Sequence, residues 1–429
     1  MMRAPLLFAA ALAAAAGGCD RENPNELLTT GSGGDTAVNT GGGGEGGTAG
    51  SGADGGQGGA GASTGSGAQG GGGAGGGGSG DPNLDARVLS YTEALRSASF
   101  KLVGNAPTVQ EMMDLHNTPD AEKPAKYASM IDEMMTRPAF AVRMVEFWKN
   151  ALRMGGAAAG GVPSRDTAPV FAAQITVQGL PYTDLATKTS MTCPTFDPAT
   201  GTFTDGECSN GIAPVVILTD PGVHALYYGN MAFRRVRFFH ETFLCRKANE
   251  PVAEPSAMVG PNGPAGYASP WDWNSITGGP AARVDFHASE GVICANCHAT
   301  WNHRAPLWAN FDEAGQYKPD IAVHAPIIDL PLAVRADWIP DGEPTGWKFG
   351  MPAADLTQLG AQIAADPEVH SCAVSRMWNY AMSRGDIVET GNKVSDKVIA
   401  QLVSDFTANG YNLKATLRSI LLHDDFVRF

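Results

Sequence analysis

Pro138-Ala139-Phe140-Ala141-Val142-Arg143-Met144-Val145-Glu146-Phe147-Trp148 is the stretch that decides the fold class. Phe140, Met144, Phe147 and Trp148 recur at helical spacing and so share one face. Pro138 can open such a helix, because the first helical residue needs no N–H partner. The same period runs upstream through Tyr127, Ile131, Met134 and Met135. Thr108 and Glu111 form a capping-box pattern ahead of Met112, Met113 and Leu115. Further helices are predicted over 86–98, 231–244, 367–383, 394–406 and 413–422. Val369, Val374, Met377, Trp378 and Met382 supply the apolar positions of the third of these. Asn409-Gly410 is a good stop between the last two. The reading is a mainly α, multi-helix body with long irregular stretches rich in Gly and Pro, at about 155–220 and 246–350. Loops of that length in a compact domain are usually functional.

The second irregular stretch holds Cys294-Ala295-Asn296-Cys297-His298, a single Cys-x-x-Cys-His. This is the signature of covalent haem attachment. Two cysteines three apart can form thioethers with the two haem vinyl groups, and His298 then coordinates the iron. The long loops would wrap that one c-type haem. The rivals are a redox Cys-x-x-Cys, a disulfide, and a zinc site with His303. A zinc site usually needs four ligands, and there is no second Cys-x-x-Cys. For the sixth iron position, Met351 in Phe349-Gly350-Met351-Pro352 lies 53 residues after His298. Methionine ligation raises the reduction potential, although most methionines are core filler. His303, His324 and His287 are bis-histidine candidates, and an open iron is the third case. Arg304, Arg335 and Arg376 are candidate partners for haem carboxylates, with surface ion pairing as the default. Asp312 and Glu313 read as turn or capping residues, or as positioners of a proton donor. Trp301 and Trp308 wall the haem or pack.

The N-terminus settles the compartment. Residues 1–18 read as an export signal: Arg3, then Leu6-Leu7-Phe8 and an alanine-rich run too short to span a bilayer. Ala16-Gly17-Gly18-Cys19 resembles a bacterial lipoprotein cleavage site, with alanine where leucine is commoner. Cys19 would become the lipidated terminus and the membrane anchor. The alternative is an ordinary secretory signal with an incidental cysteine. Residues 19–81 are a linker, and 31–80 contain 27 glycines in 50 residues. Such a tract cannot form a core and is expected to be a disordered tether with a span of roughly 40 Å. The net charge of −14 becomes −15 once Arg3 leaves with the signal. An acidic chain of this kind argues against nucleic acid and against electrostatic docking on anionic lipid.

Seven cysteines are present. Removing Cys19, Cys294 and Cys297 leaves Cys193, Cys208, Cys245 and Cys372, an even remainder that suggests two disulfides in an exported protein. Four cysteines allow three pairings. Local closure favours Cys193 with Cys208, and then Cys245 with Cys372; four buried free thiols are the alternative. The body divides into an N-terminal helical module at 82–154 and a loop-rich insertion at 155–230. A haem-binding module at 231–330 and a C-terminal helical module at 331–429 complete it.

Several stretches resemble one family. Pro306-Leu307-Trp308-Ala309-Asn310-Phe311-Asp312-Glu313-Ala314-Gly315 looks like the segment after Cys-x-x-Cys-His in planctomycete-type cytochrome c proteins and their uncharacterised-domain relatives. Arg237-Phe238-Phe239-His240-Glu241-Thr242-Phe243-Leu244-Cys245 is similar to their Leu-Cys helix. Leu102 to Thr108, Arg137 to Phe140 and Trp148 are similar to their N-terminal module. Gly410-Tyr411-Asn412-Leu413-Lys414 and His423-Asp424-Asp425-Phe426 resemble their closing helix. The resemblance covers most of 85–154 and 231–429, and leaves 155–230 without a counterpart. It implies an exported, helical haem protein and names no substrate.

Three functions are consistent with these residues. The first is a membrane-tethered monohaem cytochrome that passes single electrons between redox partners of the cell envelope. The second is a peroxidase-like or other haem oxidoreductase with an open iron. The third is a non-haem binding lipoprotein whose Cys-x-x-Cys is a disulfide.

Overall fold

The computed structural model describes residues 86–247, 301–319, 338–339, 344–348, 350–391 and 393–429. Cys19, the glycine tract, His287, Cys294, Cys297, His298, His324 and Arg335 lie outside the described residues. The chain divides between Asp81 and Pro82, and every described residue belongs to the unit after that boundary. No described helix is long and apolar enough to cross a membrane.

The body is mainly helical. Its first helix, α1, spans Tyr91–Leu102 rather than 86–98, because the Ser90 side chain accepts from Glu93 N and sets the start. In α2 (Val109–Asn117), Thr108 and Glu111 form the expected capping box. Helix α3 spans Lys123–Met134, and α4 spans Pro138–Leu152 with proline at its start. Phe140, Met144 and Trp148 are buried along α4, and Phe147 is half-buried against the core.

Residues 155–230 are more regular than the sequence suggested. They carry α5 (Thr167–Gln178), α6 (Asp184–Thr187), a hairpin of β1 (Thr195–Asp197) and β2 (Thr202–Thr204), and α7 (Pro221–Leu226). Helix α5 is buried along nearly its whole circumference, so its sequence has no polar face to mark it. It packs along α4, and Trp148 Nε1 donates to Thr176 Oγ1 at 3.0 Å.

Next comes α8 (Phe233–Leu244). A short antiparallel pair, β3 (Gly346–Lys348) and β4 (Met351–Pro352), precedes α9 (Leu356–Ala365) and α10 (Pro367–Ala381). After α11 (Ile387–Thr390), α12 (Asp396–Ala408) ends at Asn409, with Gly410 at φ +67° as its stop signal requires. Helices α13 (Leu413–Leu421) and α14 (Asp424–Val427) close the chain. One hydrophobic core runs from Ala94 to Val427, so the N- and C-terminal modules are a single packed body. Buried Tyr127 donates to Leu421 O at 2.9 Å across that seam, and Val88 N donates to Phe429 O at 2.9 Å where the ends meet.

Both disulfides form as the cysteine arithmetic favoured. Cys193–Cys208 and Cys245–Cys372 each have Cα atoms 5.3 Å apart, within the range a disulfide needs. The free-thiol alternative is thereby excluded for these four.

Candidate functional site

Residues 301–319 follow the Cys-x-x-Cys-His motif directly and are built deeply into the body. Residues 301–304 are helical, and Ala305–Trp308 continue as a 3₁₀ turn. Trp308 is fully buried, stacks on Phe239 of α8 with ring centres 4.3 Å apart, and donates from Nε1 to Leu218 O. It therefore packs, as the plainer sequence reading had it. Buried Arg235 of α8 reaches three carbonyls at once: Trp308 O at 2.8 Å, His224 O at 2.9 Å and Asp312 O at 3.2 Å. Its guanidinium is a clamp that closes α7, α8 and the post-motif segment together. Burial pushes the Arg235 pKa down to about 10, so it stays charged.

The Asn310 to Gly315 run has a geometric reason. Asp312 Oδ1 accepts from Ala314 N at 2.9 Å and Gln316 N at 2.8 Å, and its other oxygen pairs with Lys318 at 2.6 Å. Those bonds hold its carboxyl below the usual range against a burial effect of opposite sign. Asp312 is thus a turn residue. Gly315 sits at φ +71°, and a Cβ there would lie 2.1 Å from Pro221 O, so backbone passes backbone too closely for any other side chain. Phe311 stacks on His224 with centres 3.7 Å apart.

At the head of this segment lies a second buried polar group. Arg304 is 1 % exposed. Its Nε donates to Trp347 O at 2.6 Å, its Nη1 meets His240 Nδ1 at 3.1 Å, and its charge sits 4.2 Å from the Trp347 ring centre. Trp347 lies on β3, so Arg304 joins the post-motif segment to the β3–β4 hairpin. Trp301 lies 6.4 Å from His240, ring to ring, and 6.3 Å from Phe233. Around this group Lys348 bridges Asp366 and Glu368, Arg246 pairs with Glu368, and Trp347 Nε1 donates to Asp366 at 2.8 Å. Burial pushes Arg304 down to about 9 and holds His240 well below its ordinary value, with the charges of Arg304, Arg246 and Lys348 adding to the effect on the histidine.

The other sequence candidates fall as follows. Met351 is half-buried on β4 opposite Lys348, in the hairpin that Arg304 touches, so the structure brings Met351's strand and the post-motif segment to one region. His303 is fully buried in the 301–304 turn. Arg376 is occupied elsewhere, donating to Asp386, Thr242 O and Glu241 O, which removes it as a carboxylate partner for a cofactor. Among the described residues the one metal-like grouping is Cys193, Cys208 and Asp220, and its cysteines are bonded to each other. The sequence reading did not weigh His240 or Arg235. A signal for His240 existed, since it falls with Val236, Phe239 and Phe243 on the apolar face of α8 and is a polar residue at a core position.

Compared with protein-family models, curated proteins and solved structures, the chain matches none.

Proposed function

We propose that this chain is an exported, lipid-anchored monohaem c-type cytochrome that carries single electrons in the cell envelope. One observation carries the reading: Cys294-Ala295-Asn296-Cys297-His298 stands in a chain whose four other body cysteines are paired in disulfides. Disulfides belong to an oxidising compartment, which is also where haem c is attached. With those four cysteines paired, Cys294 and Cys297 are left for thioethers and Cys19 for lipid. The resemblance to planctomycete-type cytochrome c proteins supports the same reading.

The described residues next to the motif suit a haem. Trp301 lies near the rings of Phe233 and His240, and His240, a buried imidazole with an unmet Nε2, contacts the buried cation Arg304. Bound haem would supply a one-electron couple. Cys294 and Cys297 would hold it covalently, His298 would ligate its iron, and Met351 would be a candidate for a second protein ligand. The Trp347 ring packs against Arg304. Arg235, Trp308 and Asp312 tie the described segment after the motif into the core.

The test is expression alongside a bacterial haem-attachment system, with a peroxidase-stained denaturing gel. A haem-stained band that disappears in the Cys294→Ser/Cys297→Ser variant is expected. A chain without covalent haem overturns the proposal and leaves the non-haem lipoprotein. A high-spin ferric spectrum that responds to carbon monoxide or peroxide would instead favour the open-iron enzyme.

A further inference from the structure

The His240–Arg304 pair has a chemistry that packing does not explain. A guanidinium can only donate, so the 3.1 Å contact makes His240 Nδ1 the acceptor. A neutral imidazole with a bare Nδ1 carries its proton on Nε2. Burial and the neighbouring cations Arg304, Arg246 and Lys348 keep the ring neutral. Nε2–H is then a donor on a residue 4 % exposed, with no partner among the described residues. A metal-bound histidine needs the opposite arrangement, a bare nitrogen on the metal and an N–H that donates to an acceptor. Arg304 cannot be that acceptor. His240 is therefore a hydrogen-bond donor and not an axial ligand.

Arg304 supplies the second half. Its described partners, Trp347 O and His240 Nδ1, take two of its five N–H groups, and both partners are neutral. The nearest acid by its effect on Arg304, Asp366, is already bonded to Lys348 and Trp347. Arg246, Arg304 and Lys348 face Asp366 and Glu368, three cations against two carboxylates. Among the described residues the cluster carries one more cation than carboxylate, and His240 Nε2–H is a buried donor without a partner beside it.

We propose that His240 and Arg304 together bind a carboxylate, and that the carboxylate is a propionate of the haem held at Cys294, Cys297 and His298. The proposal rests on the haem reading above. Thioether formation uses the vinyl groups and leaves both haem carboxylates ionised, so they are the acceptors that arrive with the cofactor. His240 is a positioning residue: its tautomer is set by Arg304, and it holds the propionate in its ionised form.

The experiment is the reduction potential of the haem-loaded protein against pH, for the native chain, His240→Gln and His240→Leu, with haem content measured on each. The native protein is expected to hold a constant potential between about pH 5 and pH 8, because the propionate stays ionised. His240→Gln keeps an N–H donor and should match it. In His240→Leu the propionate takes up a proton within that window, so the potential should rise as the pH falls. Identical profiles for all three, or glutamine behaving as leucine does, overturn the assignment while leaving the haem reading intact. A native chain without covalent haem overturns both.

Discussion

Single residues at the centre of this body are polar and buried, and their ionisation reaches stability. Asp220 is buried at the N-terminus of α7, where Oδ1 accepts from Val223 N at 2.7 Å. Burial outweighs that bond and pushes its pKa up to about 7. In the unfolded chain the carboxyl ionises near pH 3.8. Between those values the folded state holds the extra proton, so stability falls as the pH rises from about 4 to about 7 and stays lowered above. Asp220→Asn keeps the cap, since asparagine caps about as well as aspartate, and removes the ionisation. Its melting temperature should exceed the native value above pH 7, with the gap closing toward pH 4; a gap that does not change with pH would sink the argument. None of this was legible in the sequence. Nothing in the 216–226 stretch separates a buried aspartate from an exposed one, and α8 holds Arg234, Arg235 and Arg237, of which only Arg235 is buried. Burial is a property of the packed body, and a local pattern carries it only where the period is clean.

Elements were legible in proportion to their amphipathicity. Helices α2, α4, α10 and α12 have a polar and an apolar face and clear start or stop signals, and the sequence reading located all four. Helix α5 escaped because Val170, Phe171, Ala172, Ala173 and Ile175 leave no polar face. Helix α9 escaped because its ten residues hold a glycine that reads as a breaker. That glycine is a contact. A Cβ on Gly360 would lie 2.0 Å from Ala186 O of α6. Gly360→Ala would gain about 1 kcal/mol of helix propensity. Against that, forcing two backbones apart in a packed core costs typically ~1–3 kcal/mol, and more where the obstacle cannot rotate away. A carbonyl oxygen cannot, so the clash should win and the variant should be less stable by about 1–2 kcal/mol. Urea denaturation measures it, and a stabilised Gly360→Ala would show that α6 and α9 separate freely.

At the scale of the whole molecule, cysteine arithmetic read long-range structure that periodicity could not, because local closure of one pair among four cysteines leaves the other two for each other regardless of fold. It joined Cys245, at the end of α8, to Cys372 in α10, 127 residues apart. The Cys-x-x-Cys-His motif could be read directly from the sequence. The His240–Arg304 pair could not, since those residues are 64 apart in sequence and meet only through folding. The two disulfides should differ in weight. Chain entropy assigns roughly 3 kcal/mol to a loop of 15 residues and roughly 5 kcal/mol to one of 127. The shorter bridge also duplicates closure that β1 and β2 already provide, and Cys193 N donates to Gly206 O at 2.9 Å beside it. Its removal should cost less than the loop alone implies. The longer one holds α8 against α10, and α8 carries His240, Arg235 and the Phe239 platform under Trp308. Cys245→Ser/Cys372→Ser should therefore lower the denaturation midpoint more than Cys193→Ser/Cys208→Ser, and should also lower the fraction of chain that takes up haem. Equal losses would mean that α8 is held by its packing alone. Equal haem uptake with unequal stability would mean that the bridge supports the body without shaping the site.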